Sequence, residues 1–277
     1  MFETFKLLNK FYATEAKKGQ YLHKLLTYGY YFFYEAGSKI IGRNRMKFFL
    51  RHVSNLASIK MKIVLKDGIV IHHFIELYGI IIDVIVLDEY LMKNIPENKV
   101  IIDAGANIGL MSLILAKRKK AKKIYAFEPS SKNFSLLKKN IKENGCDNVL
   151  AHREALYTKK GKMKLYLRGS GNNSLILKED GMYSRKHYKK YELVETTTLD
   201  ICCDKEDSIY LLKIDVEGPE VEILEGADRI LRKTENIIVE KSARHTKEAD
   251  LVKILKKHGF KIKQETRVNN LYFGHKQ

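Results

Sequence analysis

Short apolar runs along this chain end in carboxylates, at Asp103, Glu128, Glu154, Asp215, Glu217 and Glu240. One carboxylate at a strand end usually caps a helix or faces water in a turn. Several along one edge form a surface that takes hydroxyl donors or cationic groups. Glu128 follows Asp103 by 25 residues, near the spacing of about 20 at which an acidic side chain reaches ribose hydroxyls in nucleotide folds. Two carboxylate oxygens match two vicinal hydroxyls. Glu154 is placed to accept from an adenine amino group, with a backbone N–H at Ala155 for a ring nitrogen. The competing readings are a helix cap for Glu128 and a solvated turn for Glu154.

The stretch Val100–Ala116, VIIDAGANIGLMSLILA, supplies the turn these carboxylates surround. Val100, Ile101 and Ile102 run into Asp103 as a buried parallel strand does. Gly105 and Gly109 then bracket Asn107, and Leu110, Leu113 and Ile114 follow at helical spacing. A glycine turn between strand and helix is expected to let a ligand approach the backbone and to aim free N–H groups at it. The spacing is D-x-G-x-N-x-G, not the G-x-G-x-x-G of dinucleotide folds. A pyrophosphate wants bare N–H groups and cations, so an acidic rim favours a positively charged guest.

From Val100 onward strand and helix patterns alternate, which predicts a doubly wound, mostly parallel sheet. Strands are predicted at Lys123–Phe127, Val149–Arg153, Ile209–Ile214 and Ile237–Glu240. Helices are predicted over Asn133–Asn144, capped by Ser130 or Ser131, from Pro219 to about Arg232, and over Thr246–His258. Phe260–Thr266 and Asn270–Gly274 close the sheet as an antiparallel hairpin. Lys162–Leu167 and Tyr191–Leu199 both alternate, so the segment between the third and fourth strands reads as a β-hairpin insertion carrying the loop Gly169–Ser174.

The chain has 277 residues and a net charge of +18. Residues 1–66 hold 13 basic and 3 acidic side chains, against 38 and 30 in residues 67–277. That basic front end reads as helices over 2–58 with a dense aromatic run, YGYYFFYEAG, then a hairpin of Lys60–Lys66 and Ile69–Phe74 about Asp67-Gly68. Residues 1–85 are therefore expected as a helical and hairpin appendage, and 86–277 as the main domain. The appendage either packs its aromatics inward or rests on an acceptor or membrane face. Cys146, Cys202 and Cys203 make no disulfide framework and no zinc-type spacing, so a reducing compartment and no metal are expected. Met1–Lys18 lacks the apolar core of a secretory leader, and no run approaches the ~20 residues of a membrane span. The expected place is the cytoplasm, at most peripheral to a membrane.

Four ordered stretches resemble the FkbM family of S-adenosylmethionine-dependent methyltransferases: VIIDAGANIGLMSLILA, IYAFEPSSKNFSLLKKNIKENG, the GKMKLYL…GNNSLI excursion, and LLKIDVEGPEVEILEGA ahead of IIVE. The resemblance covers roughly Asp88–Glu240. It implies a Rossmann-like class I methyltransferase sheet, methyl transfer to oxygen, and S-adenosyl-L-methionine held at Asp103, Gly105, Asn107, Gly109 and Glu128. It leaves the acceptor open among sugars, glycans, lipid-linked and other small molecules, and says nothing of oligomeric state.

O-methylation asks the protein to align an acceptor hydroxyl and remove its proton. Asp215 is the first candidate for that base or anchor, and Glu217 the second. Lys213 sits one residue deeper and is expected to pair with a carboxylate. Asn173 and Ser174 on the insertion loop, and His245 beyond the fifth strand, are candidate acceptor contacts. An RNA methyltransferase is the alternative, suggested by the charge; against it, D-V-E-G stands where an N-P-P-Y-like tetrad would hold a base amine. A binding protein that keeps the fold without the chemistry is disfavoured by carboxylates at both ends of the site.

Overall fold

The structure is a computed structural model that describes residues 60–65, 67–74, 95–167, 173–176, 190–242, 246–264 and 271–276. The helices expected within 2–58, residues 169–172 of the insertion loop, and the candidate His245 lie outside the described residues. The chain divides into two units, 1–93 and 94–277; the expected boundary at 85/86 falls in undescribed sequence. In the first unit, β1 (Lys60–Val64) and β2 (Val70–Phe74) pair antiparallel about Asp67-Gly68. Ile63, Leu65, Ile69 and Ile71 are buried, as the alternation requires.

The second unit is built on seven strands. These are β3 (Val100–Ala104), β4 (Lys123–Phe127), β5 (Val149–His152), β9 (Ile209–Ile214), β10 (Thr234–Glu240), β11 (Lys261–Gln264) and β12 (Leu271–His275). Their order is β11-β12-β10-β9-β3-β4-β5, with β12 antiparallel to both neighbours and the rest parallel. This is the Rossmann-like sheet with an antiparallel last strand. Strands β3, β4 and β5 run out to one side and β9 and β10 to the other, so the topological switch lies between β3 and β9. Ligands of open α/β sheets bind at the carboxyl ends there, beyond Asp103 and Asp215.

One face of the sheet (Ile102, Ala104, Phe127, Leu212, Ile214, Val239) packs on α3 (Leu199–Cys202), α4 (Glu220–Glu225), α5 (Asp228–Lys233) and α6 (Glu248–Lys257). Ile101 and Ile124, of opposite parity and also fully buried, face the other way. On that side α1 (Leu110–Arg118) and α2 (Ser131–Glu143) lie against β4 and β5. Burial on both faces explains the unbroken apolar runs. Among the described residues no helix is long and apolar enough to cross a membrane.

The insertion is a small sheet of its own, with β6 (Ala155–Leu156) parallel and β7 (Gly161–Leu167) antiparallel to β8 (Lys190–Thr197). Two expectations need correction here. The helix predicted from Pro219 to Arg232 is broken into α4 and α5 at Gly226, where a Cβ would lie 2.3 Å from the Tyr157 carbonyl oxygen. The Asp200 carboxylate then accepts from the Arg229 and Ile230 N–H groups at 3.0 and 2.9 Å and starts a new helix. The predicted serine cap on α2 is also not made: the Ser130 hydroxyl makes no capping bond. Instead Glu128 accepts from the Ser130 N–H at 2.9 Å, and Glu192 of β8 from the Ser131 N–H at 3.0 Å.

Candidate active site

Three of five residues in the turn after β3 are left-handed, with φ of 79° at Gly105, 53° at Asn107 and 84° at Gly109. The glycines are required by the protein's own packing. A Cβ on Gly105 would lie 1.8 Å from the Asp215 carbonyl oxygen, and one on Gly109 2.4 Å from Leu137 Cδ1. The expectation of free N–H groups fails at four positions. Gly105 and Ala106 donate to the Phe127 carbonyl at 3.1 and 2.9 Å, and Gly109 to that of Ala106 at 2.8 Å. Asn107 donates to Glu128 Oε2 at 3.0 Å. The turn is thus a tight joint between β3, β4 and β9, leaving side chains as its unused polar groups. Among these, Asn107 Oδ1 is buried and meets no donor among the described residues.

Glu128 closes the joint. Its two oxygens hold one backbone N–H each, from Ser130 and Asn107. Burial pushes its carboxyl up to about 7, against the lowering effect of those N–H groups and of Lys213. The helix-cap reading and the ligand reading are compatible here, because a carboxylate has about four acceptor sites and only two are used.

Asp103 is fully buried. It accepts from Ser112 Oγ at 2.7 Å and pairs with Lys213 Nζ at 3.1 Å. Lys213 is the hub. Its ammonium also donates to the Gly105 carbonyl at 3.0 Å and lies 3.4 Å from Asp215 Oδ2. Burial alone would push this ammonium down, but Asp103 and Asp215 hold it above its ordinary value. It stays charged, and its three donors are matched to three acceptors on both sides of the switch point.

Asp215 keeps an open side, with 41% of its side chain exposed, while its N–H is fixed to the Ala104 carbonyl at 3.0 Å. The following turn has φ of 57° at Glu217 and 144° at Gly218. Ser174 meets that turn, but not as an exposed acceptor contact. It is fully buried, its Oγ lies 2.7 Å from the Glu217 carbonyl, and its backbone exchanges hydrogen bonds with Tyr166. The insertion is thereby pinned to the wall beside Asp215, with Asn173, half-buried, next to the pin.

The turn is also held from the other side. Glu220, fully buried, accepts from the N–H groups of Gly218 and Ser242 at 2.9 and 3.3 Å and from the Thr246 hydroxyl. It ties the Asp215 turn to the segment after β10. Replacing it with Gln keeps an oxygen for the two N–H groups but loses the charge, and sets an amide NH2 against Thr246, whose hydroxyl must then donate to the Gly218 carbonyl at 3.2 Å. Loss of about 1–3 kcal/mol is expected, read as a drop of several degrees in melting temperature, with the cofactor-induced shift intact.

Glu154, just beyond β5, is half-buried. Its Oε2 lies 3.6 Å from His152 Nδ1. Ala155 is buried and paired with Thr196 in β6, so its backbone belongs to the insertion sheet. The carboxylate found at this end is Glu192, bonded to the Ser131 N–H and 3.7 Å from Arg153. Sequence reasoning missed it, since nothing links residues 131 and 192 before folding. Glu220 did carry a signal, an acid just after Pro219 in the first turn of a helix.

The carboxylates of Glu128, Asp103 and Asp215 thus gather at the switch point of a Rossmann-like α/β sheet. Residues 103–262 match the model of the methyltransferase FkbM domain, and the chain belongs to that family. It is 32% identical over 166 residues to the methyltransferase sdnD of Sordaria araneosa, covering 50% of this chain and 64% of that one. It is 27% identical over 151 residues to the hexuronic acid methyltransferase AglP of Haloferax volcanii, covering 54% and 59%. The chain thus spans about three fifths of the length of these relatives. The crystal structure of an FkbM methyltransferase from Methylobacillus flagellatus aligns with a TM-score of 0.48 at 16% identity, over 72% of this chain and 54% of that one.

Proposed function

We propose that the chain transfers a methyl group from S-adenosylmethionine to a hydroxyl of a saccharide or other small molecule. The observation that carries this reading is the pair Glu128 and Asp215 on either side of the glycine turn, Glu128 holding the Asn107 N–H and Lys213 bridging the Gly105 carbonyl to Asp215. Family membership and the hexuronic acid methyltransferase among the relatives support it.

The residues present fit the cofactor. Glu128 has acceptor capacity left for a ribose diol, and Asn107 Oδ1 is a buried acceptor that meets no donor among the described residues. Carboxylates with no arginine cluster facing them among the described residues suit a cation better than a pyrophosphate. When bound, S-adenosylmethionine supplies a methyl carbon already activated by its sulfonium. The chain's share is alignment and proton removal. Asp215 accepts the hydrogen bond of the acceptor hydroxyl and takes its proton as the oxygen attacks. Lys213, anchored to Asp103 and Gly105, fixes the Asp215 carboxylate, and Glu217 stands next in line on the same turn. The pinned insertion forms the wall against which the acceptor rests.

Purified protein with methyl-labelled S-adenosylmethionine, offered saccharide, lipid and RNA fractions separately, tests the reading. Label is expected in the saccharide fraction as an alkali-stable methyl ether. Label confined to RNA overturns it in favour of the basic-surface alternative.

A further inference from the structure

We propose that His152, Glu154 and Cys202 form a binding site for a divalent cation of the zinc class, set behind the cofactor edge. One ligand atom from each lies within 4.8 Å of the other two. His152 ends β5 and Glu154 follows two residues later, just beyond the strand, with its carboxylate brought back toward the His152 ring. Cys202 comes from the last turn of α3, which immediately follows β8. Fifty residues separate the cysteine from the histidine, which is why no motif announces the group.

Each donor is held in place. The His152 ring is stacked on Phe127 at 4.8 Å and on Tyr125 at 5.9 Å, which aims Nδ1 at Glu154 Oε2, 3.6 Å away. Its Nε2 is buried with no partner among the described residues, so the ring's hydrogen-bonding capacity is not used up by the fold. Cys202 Sγ lies 3.2 Å from Thr197 Oγ1, a hydroxyl able to donate to a thiolate and to orient it as a second sphere of contact. Imidazole, thiolate and carboxylate together favour zinc over magnesium or calcium, which take oxygen sets. Metal–ligand bonds of about 2.0–2.3 Å place donors roughly 3.3–3.8 Å apart. Side-chain rotation closing the group by about an ångström satisfies that, and all three side chains are only half-buried.

A cation here would staple the end of β5 to the helix that follows β8. β8 also supplies Glu192 to the start of α2, so the staple would brace the insertion against the sheet edge. It would also keep Glu154 turned away from the cofactor.

Cobalt is the probe. Reduced, chelator-stripped full-length protein is titrated with Co2+ in the absence of S-adenosylmethionine. The expected result is saturation at one equivalent, with visible bands of tetrahedral intensity and a thiolate-to-cobalt charge-transfer band in the near ultraviolet. Zn2+ should displace the colour; Mg2+ should not. Cys202→Ser should remove the charge-transfer band, while His152→Gln and Glu154→Gln each weaken binding about tenfold or more, with circular dichroism reporting the fold of each variant. If Cys202→Ser fails to fold, Glu154→Gln carries the test through affinity alone. No saturable colour, a charge-transfer band that persists in Cys202→Ser, or unchanged affinity in Glu154→Gln overturns the site. None of these readouts depends on methyl transfer, so the site and the proposed activity stand or fall separately.

Discussion

Glu128→Ala is expected to lose cofactor affinity by on the order of 100-fold or more, the effect of removing two hydroxyl-to-carboxylate hydrogen bonds at about 1.5–3 kcal/mol each. The measurement is the S-adenosylmethionine-induced shift in melting temperature, read against each variant's own baseline. That baseline will fall too, because Asn107 and Ser130 lose a buried acceptor. A wild type that shows no shift would sink the cofactor assignment. The same residue predicts a pH dependence. Burial pushes the Glu128 carboxyl up to about 7 in the free protein, and the diol needs the ionised form. Protonation therefore competes with binding below that value, and affinity rises with pH and levels off above it. Between pH 8 and pH 6 it should weaken about tenfold. Glu128→Gln should bind weakly and flatten the slope; an unchanged slope would assign the titration to another group.

Asp215→Asn should cut kcat by about 10²–10⁴-fold, the range for loss of a positioned base, while cofactor affinity stays within a few-fold. The amide is isosteric, so the backbone bond to Ala104 survives. Lys213 keeps Asp103 and the Gly105 carbonyl as partners. What disappears is the open carboxylate that takes the hydroxyl proton. Single-turnover methyl transfer beside a cofactor-binding isotherm separates the two effects. Undiminished turnover would move the base to Glu217 on the same turn. Loss of both turnover and binding would make Asp215 part of the Lys213 joint instead.

Sequence reading was reliable wherever a local rule operates, and failed where two distant segments share one atom. Periodicity located β3, β4, β9 and β10 because each is buried on both faces, which leaves little choice of residue. The same rule carried a helix through Gly226, since nothing local says that the Tyr157 carbonyl will press on it. Ser130 looked like a cap by type and position. The fold satisfies those N–H groups instead with two carboxylates, one of them 61 residues away.

Spacing alone thus determined the sheet, its antiparallel end, the hairpin insertion and the acidic edge, because strand and helix periods and turn chemistry are short-range. Only the tertiary structure decided how those carboxylates divide their work. Asp103 is consumed by Lys213 and Ser112, and Glu154 is turned to His152 and Cys202. Ser174 is buried as a pin, and Asp215 is left with an open side. The physical reason is charge burial. A charge taken from water must find partners, and which groups lie near enough depends on how distant segments cross.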